Sequence, residues 1–222
     1  YSVGEFAQQD INKSIYYYTL ASNQNCPNAQ YDLGIIYFMG RSFIRNIKKS
    51  IYYFKLSSNN GNVRASFCYG FLLHEGKHIK RNIEKAIHYY KHASSFNNIH
   101  AKNNLGIIYK YGFGDKIMSR IGNSIEYFKE AIQYGDDYLA MYNLAHIYIY
   151  NKSFEHEFDK SVELLIKSSK KFHHSLILLC LVLIKKFGIN RDAIKDQIDK
   201  LSYKTSNIYS QVFETIKKMQ LD

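Results

Sequence analysis

Apolar and small residues recur along this chain at offsets of four, five and eight positions. Ala29, Leu33, Gly34 and Tyr37 set the pattern, and Ala65, Tyr69, Gly70 and Leu73 repeat it. Ala101, Leu105, Gly106 and Tyr109, then Ala140, Leu144, Ala145 and Tyr148, follow in register. Those offsets fall on one face of a 3.6-residue period, so each stretch predicts an amphipathic helix. A second motif lies between the copies: Ser50, Ile51, Phe54 and Ser57, then Ala86, Ile87, Tyr90 and Ala93. It predicts a second helix per copy. The first motif advances by 36, 36 and 39 residues, and a degenerate copy begins 35 further on at Ser175.

The polar punctuation agrees with the helices. Gly40, Gly76 and Gly112 stand where each first helix must stop, and glycine takes the left-handed C-terminal conformation at little cost. Asp10, Asn46, Asn82 and Asp159 are the expected caps at the start of the second helices. The small residue after the leucine position (Gly34, Gly70, Gly106, Ala145) lets the two helices of a hairpin approach closely. One such hairpin cannot bury its apolar face alone, so copies must stack. The predicted fold is all-α: a right-handed α-solenoid of stacked helix-turn-helix repeats. Its units are a partial copy at 1–28, full copies at 29–64, 65–100, 101–139 and 140–174, and a degenerate first helix at 175–188. Residues 189–222 are expected to form capping helices, with Ile208, Val212, Ile216 and Met219 as the apolar stripe of the last. Tyr1 and Gly4 share the register of Tyr37 and Gly40, so the chain is expected to open at the end of a first helix, within a longer array.

The pattern Ala-x-x-x-Leu-Gly-x-x-Tyr-x-x-Gly, followed by Asp/Asn-x-x-Lys-Ala-x-x-Tyr-Tyr-x-x-Ala, resembles the Sel-one-like repeat, a relative of the tetratricopeptide repeat. The resemblance covers residues 1–188 and is clearest over 65–135. Asn151 departs from it by replacing the turn glycine, as Leu164 and Leu165 do by replacing paired aromatics. The paired cysteines of cysteine-rich members are also missing. The resemblance implies an adaptor or scaffold that binds a protein or peptide partner, with no enzymatic activity and no cofactor or metal. In the tetratricopeptide relatives the first helices line the concave face. Carried across, that geometry places Tyr31, Ile35, Phe38, Phe67, Phe71 and His74 on the groove, followed by Asn103, Lys110, Tyr142 and His146. Only Asn103 and Lys110 offer the chemistry of a carboxylate clamp.

Two histidine patterns point elsewhere. His74-Glu75-Gly76-Lys77-His78 matches HExxH, which binds zinc when both histidines lie one turn apart on a continuous helix. Gly76 is the turn glycine, so that helix is expected to break inside the motif. Glu84, His88 and His92 lie one turn apart on a second helix, where a solvated face is the plainer reading.

A formal charge of +11 invites an acidic partner, although joint over-use of Ile, Asn, Lys, Tyr and Phe also fits an AT-rich genome. The excess is local. Between Asp32 and Glu84 the only acid is Glu75, against nine basic residues. Arg41, Arg45, Lys48, Lys77, Lys80 and Arg81 fall in equivalent inter-helix loops and predict one basic edge. The alternative function is therefore a basic solenoid that binds RNA or an anionic surface through the 41–81 edge. Another is the regulatory repeat arm of a longer multidomain protein. The longest apolar run, Leu176 to Ile184, is far shorter than the ~20 residues a membrane-spanning helix needs, and no leader sequence is apparent. Three unpaired cysteines, Cys26, Cys68 and Cys180, favour a reducing compartment such as the cytoplasm. A monomer is the expected state.

Overall fold

Each predicted amphipathic stretch is helical in the computed structural model. The structure describes residues 3–40, 45–112, 120–188, 190–201 and 206–219, with side chains omitted for 3–10, 191, 201, 206, 207, 209 and 219. The helices are α1 (Val3–Asn23), α2 (Pro27–Met39), α3 (Ile47–Asn59), α4 (Val63–Glu75), α5 (Ile83–Ser95) and α6 (Ile99–Tyr111). They continue with α7 (Ile121–Gly135), α8 (Tyr138–Tyr150), α9 (Phe158–Ser169), α10 (His173–Phe187), α11 (Arg191–Leu201) and α12 (Ser206–Met219). A 3₁₀ segment, Lys152–Glu157, precedes α9. No strand occurs among the described residues. The chain forms two compact units, Tyr1–Leu105 and Gly106–Asp222, so both are all-α stacks of hairpins.

In the first unit, α2 pairs with α3 and α4 with α5. The small residue of each first helix is what permits this. A Cβ on Gly34 would lie 2.6 Å from Phe54 Cδ1, and one on Gly70 would lie 3.0 Å from Tyr90 Cδ1. The ring therefore rests on bare backbone. Ser50 Oγ donates to the Gly34 carbonyl at 2.8 Å, which ties the same two helices with a polar bond. Aromatic pairs reinforce the seam: Tyr37 stacks on Tyr53 at 5.8 Å and Tyr69 meets Tyr89 edge-on at 4.8 Å.

Caps set the helix starts. Asn46 Oδ1 accepts from Lys49 N at 3.0 Å, and Asn82 Oδ1 from Lys85 N at 2.8 Å, as the sequence predicts. First helices are capped in the same way: Asn62 Oδ1 accepts from Ala65 N, and Asn98 Oδ1 from Ala101 N, both at 2.9 Å. Immediately before the cap position stands a residue with positive φ in successive copies: Asn25, Gly61, Asn97 and, in the second unit, Asp136.

Four expectations fail locally. Helix α1 runs unbroken through Gly4 and Asp10, so Gly4 ends no helix and Asp10 caps none. The intervening Glu-Phe-Ala-Gln-Gln favours helix, unlike the basic linkers of later copies. Gly40 ends α2 with φ −53°, outside the left-handed region, whereas Gly76 and Gly112 adopt it with φ of 71° and 65°. Asp159 is not a cap, because the 3₁₀ segment winds directly into α9 and places Asp159 in its first turn. Its carboxylate accepts from Gln197 Nε2 at 2.9 Å and Lys200 Nζ at 3.0 Å, and the Lys200 bond holds its pKa below the ordinary value.

The second unit repeats the seam. A Cβ on Gly106 would lie 2.5 Å from Phe128 Cε1, Ser124 Oγ donates to the Gly106 carbonyl at 2.7 Å, and Tyr109 stacks on Tyr127 at 5.7 Å. In the next hairpin Ala145 and Leu165 take the positions of the glycine and the ring, and both are buried. From there one apolar cluster extends through α9 and α10 to Ile194, Ile198, Val212 and Ile216. Helices α11 and α12 thus share the core of α9 and α10.

Candidate functional site

The first-helix face of the first unit is aromatic and only partly covered. Phe54, buried in the seam, contacts Tyr31 at 6.0 Å and Phe38 at 6.4 Å, so both α2 rings are braced from behind. Tyr90 does the same for α4: Phe67 lies 6.0 Å and His74 also 6.0 Å from its ring. Ile35 is half-buried, and Phe71 remains 42% exposed. A cleft of about 620 Å³ opens at the start of this face, lined by Asn28, Tyr31 and Asp32 of α2 and by Gly61–Arg64. Burial raises the Tyr31 pKa and lowers that of His74, the Arg81 charge adding to the latter. The His74 ring lies beside the Tyr90 hydroxyl, 3.4 Å from Nδ1.

In the second unit Tyr142, His146 and Tyr150 make a similar ring series on α8. Tyr142 lies 6.3 Å from His146, and His146 lies 4.5 Å from Tyr150. Phe172 backs Tyr142 edge-on at 5.1 Å. Burial lowers the His146 pKa, and the Lys110 charge adds to the effect. A smaller cleft, about 310 Å³, lies at the far end of α8, between Tyr148, Ile149 and Phe158 on one side and Val182, Lys185 and Lys186 on the other.

Asn103 and Lys110 do not share that presentation. They are only 4% and 9% exposed, because α6 is enclosed around Ala101, Lys102, Leu105, Ile108 and Tyr109 as well. The Lys110 ammonium lies 4.8 Å from the Tyr111 ring, so neither residue extends an open clamp.

The expected basic edge is exposed at Arg45, Lys48, Lys77, Lys80 and Arg81, while Arg41 lies outside the described residues. The two linkers are pinned alike, Asn46 N to the Tyr37 carbonyl and Asn82 N to the Leu73 carbonyl, each at 2.9 Å. Arg81 Nε donates to the His74 carbonyl at 3.0 Å.

The HExxH match is divided as its glycine predicts. Helix α4 ends at Glu75, Gly76 is left-handed, and His78 turns to the Phe38 ring at 6.5 Å while His74 faces Tyr90. His92 departs from the expected solvated face: its Nδ1 is 2.8 Å from Ser66 Oγ. Among the described residues no group of three His, Cys, Asp or Glu side chains is placed to hold a metal. No described helix is long and apolar enough to cross a membrane.

A family model for the Sel1 repeat matches residues 1–26, 27–62, 64–95, 99–136 and 139–171. The chain belongs to the Sel1 repeat family. Solved structures agree at the level of fold. One is a protective antigen of uropathogenic Escherichia coli strains with an SLR fold, 22% identical, with a TM-score of 0.71 over 84% of this chain and 40% of that one. Another is a Sel1 repeat protein from Oxalobacter formigenes, 20% identical, with a TM-score of 0.68 over 84% of this chain and 77% of that one. This Sel1-repeat chain therefore spans less than half of the first of these proteins. No curated protein matches its sequence. Sel1 repeat proteins generally mediate protein–protein interaction, and the family is typically a non-enzymatic scaffold.

Proposed function

We propose that this chain is a non-enzymatic adaptor that holds a partner peptide or protein against the first-helix faces of its repeats. Tyr31, Ile35, Phe38, Phe67, Phe71 and His74 form the contact set in the first unit, and Tyr142 and His146 form it in the second. The observation that carries this reading is the bracing of half-exposed rings by buried ones: Phe54 behind Tyr31 and Phe38, and Tyr90 behind Phe67 and His74. Rings held in this way lose little side-chain entropy on binding, and such aromatics are typical anchors of interfaces. The cleft at Tyr31 gives one end of the partner a recess.

The test compares partner recovery by the wild-type chain and by a Tyr31→Ala/Phe67→Ala/Tyr142→Ala variant whose fold is checked by circular dichroism. Recovery that falls by tenfold or more, by the order of magnitude expected for losing several anchors, supports the assignment. Equal recovery by both proteins overturns it.

A further inference from the structure

The second helices of the first unit carry a feature that the adaptor reading does not use. Tyr16 on α1, Tyr52 on α3 and His88 on α5 occupy one register position, 36 residues apart. All three are exposed, Tyr16 at 61% and Tyr52 at 60%. Each lies edge-on to the next residue's ring: Tyr16 to Tyr17 at 5.3 Å, Tyr52 to Tyr53 at 5.1 Å, and His88 to Tyr89 at 5.2 Å. Tyr53 and Tyr89 belong to the hairpin seams, so Tyr52 and His88 stand on fixed supports.

Exposed lysines flank this row on both sides. Lys13, Lys49 and Lys85 lie one turn before the rings, and Lys55 and Lys91 one turn after two of them. Helix α3 contains no acidic residue, nor does α1 from residue 11 onward, and α5 carries a single one, the exposed Glu84 one turn before His88. In the second unit the same register position is Glu126 on α7 and Glu163 on α9, and Glu163 pairs with Lys167 at 2.6 Å. The ring-and-lysine arrangement is thus confined to the first unit.

From this juxtaposition of three solvent-facing rings, two of them on seam supports and Tyr16 beside the equally exposed Tyr17, with lysines on either side, we propose that the outer face of α1, α3 and α5 binds single-stranded nucleic acid. Bases stack on Tyr16, Tyr52 and His88 while the lysines contact phosphates, the combination by which sequence-tolerant single-strand binders work. An acidic peptide would use the lysines but leave the rings idle.

The test measures fluorescence anisotropy of a labelled oligothymidylate of about 16 nucleotides, with a matched duplex and polyglutamate as competitors. The oligothymidylate is expected to bind the full chain more tightly than either competitor. Tyr16→Ala and Tyr52→Ala should each weaken it about tenfold, with Tyr52→Phe retaining binding. Lys49→Gln and Lys55→Gln should each flatten the dependence of log affinity on log salt by about 0.7. Because the two tyrosines are largely solvent-facing, circular dichroism should be unchanged by their replacement. Undetectable binding of the oligothymidylate overturns the proposal. So does equal competition by polyglutamate, or full affinity in Tyr16→Ala and Tyr52→Ala.

Discussion

Gly106 has its backbone against the ring of Phe128, where a Cβ would approach Cε1 to 2.5 Å. Gly34 meets Phe54 and Gly70 meets Tyr90 in the same way. Where the chain instead has Ala145, the facing position is Leu165. A methyl added on one helix is matched by a ring removed from the other, so the seam keeps its volume.

This compensation predicts a rescue. Gly106→Ala should destabilise the chain by about 1–3 kcal/mol through overpacking, and Phe128→Leu should destabilise it by leaving space. Combined, they recreate the Ala145–Leu165 pairing and should cost less than the sum of the single changes by about 0.5–3 kcal/mol. Urea melts of the four proteins measure this coupling, and strict additivity would refute it.

Asn82→Ala removes the acceptor of the Lys85 amide and should cost about 1 kcal/mol, with Asn82→Gly costing only a few tenths. Asn62→Ala should behave alike through the Ala65 amide. Thermal unfolding monitored at the helical band checks both. Equal losses for the Ala and Gly variants of Asn82 would show that capping is not the cause.

Burial, aided by Arg81 and Lys110 respectively, holds the His74 and His146 pKa values below the ordinary range. The unfolded chain therefore takes up protons at these histidines near pH ~6.5, before the folded chain does. Stability is fully present above that pH and falls as pH drops toward the folded values. Melting temperatures should decline on acidification below pH ~6.5, and less steeply in His74→Gln/His146→Gln. An unchanged slope in the double variant would exclude these two groups as the cause.

Desolvation pushes the Cys68 thiol up to about 11 and the buried Cys180 thiol up to about 12. Since the thiolate is the nucleophile, both should react sluggishly with a disulfide reagent near neutral pH and promptly in denaturant. Mass spectrometry of labelled peptides over time distinguishes them from Cys26. Rapid native labelling of Cys180 would contradict its burial.

Much of this architecture was legible because the repeat states it several times. A glycine beside a leucine, recurring in step with an aromatic on the partner helix, specifies the seam. Asn46 and Asn82 identify themselves as caps by equivalent position. The errors arose where a copy is single or its neighbours differ. Gly4 shares the register of Gly40, yet a helix-favouring segment follows it and α1 continues. Asp159 has cap chemistry, but the 3₁₀ turn ahead of it already begins the winding. The caps of the first helices are less conspicuous in the repeat, although Asn25-Cys26, Gly61-Asn62, Asn97-Asn98 and Asp136-Asp137 share one logic: a residue tolerant of positive φ, then, in three of the four, a side-chain acceptor. The geometry carried over from the tetratricopeptide relatives gave Asn103 and Lys110 an open setting. Their burial depends on how tightly neighbouring helices close over α6, which no local pattern encodes.

The apolar cluster running from Ala145 to Ile216 makes the second unit uneven in its resistance to opening. A stack of repeats opens wherever its local coupling is weakest, and a continuous aliphatic block resists opening more than separate ring-on-glycine contacts do. Amide protons in α9, α10 and α12 should therefore be the last to exchange. Heated, the second unit should lose this block last.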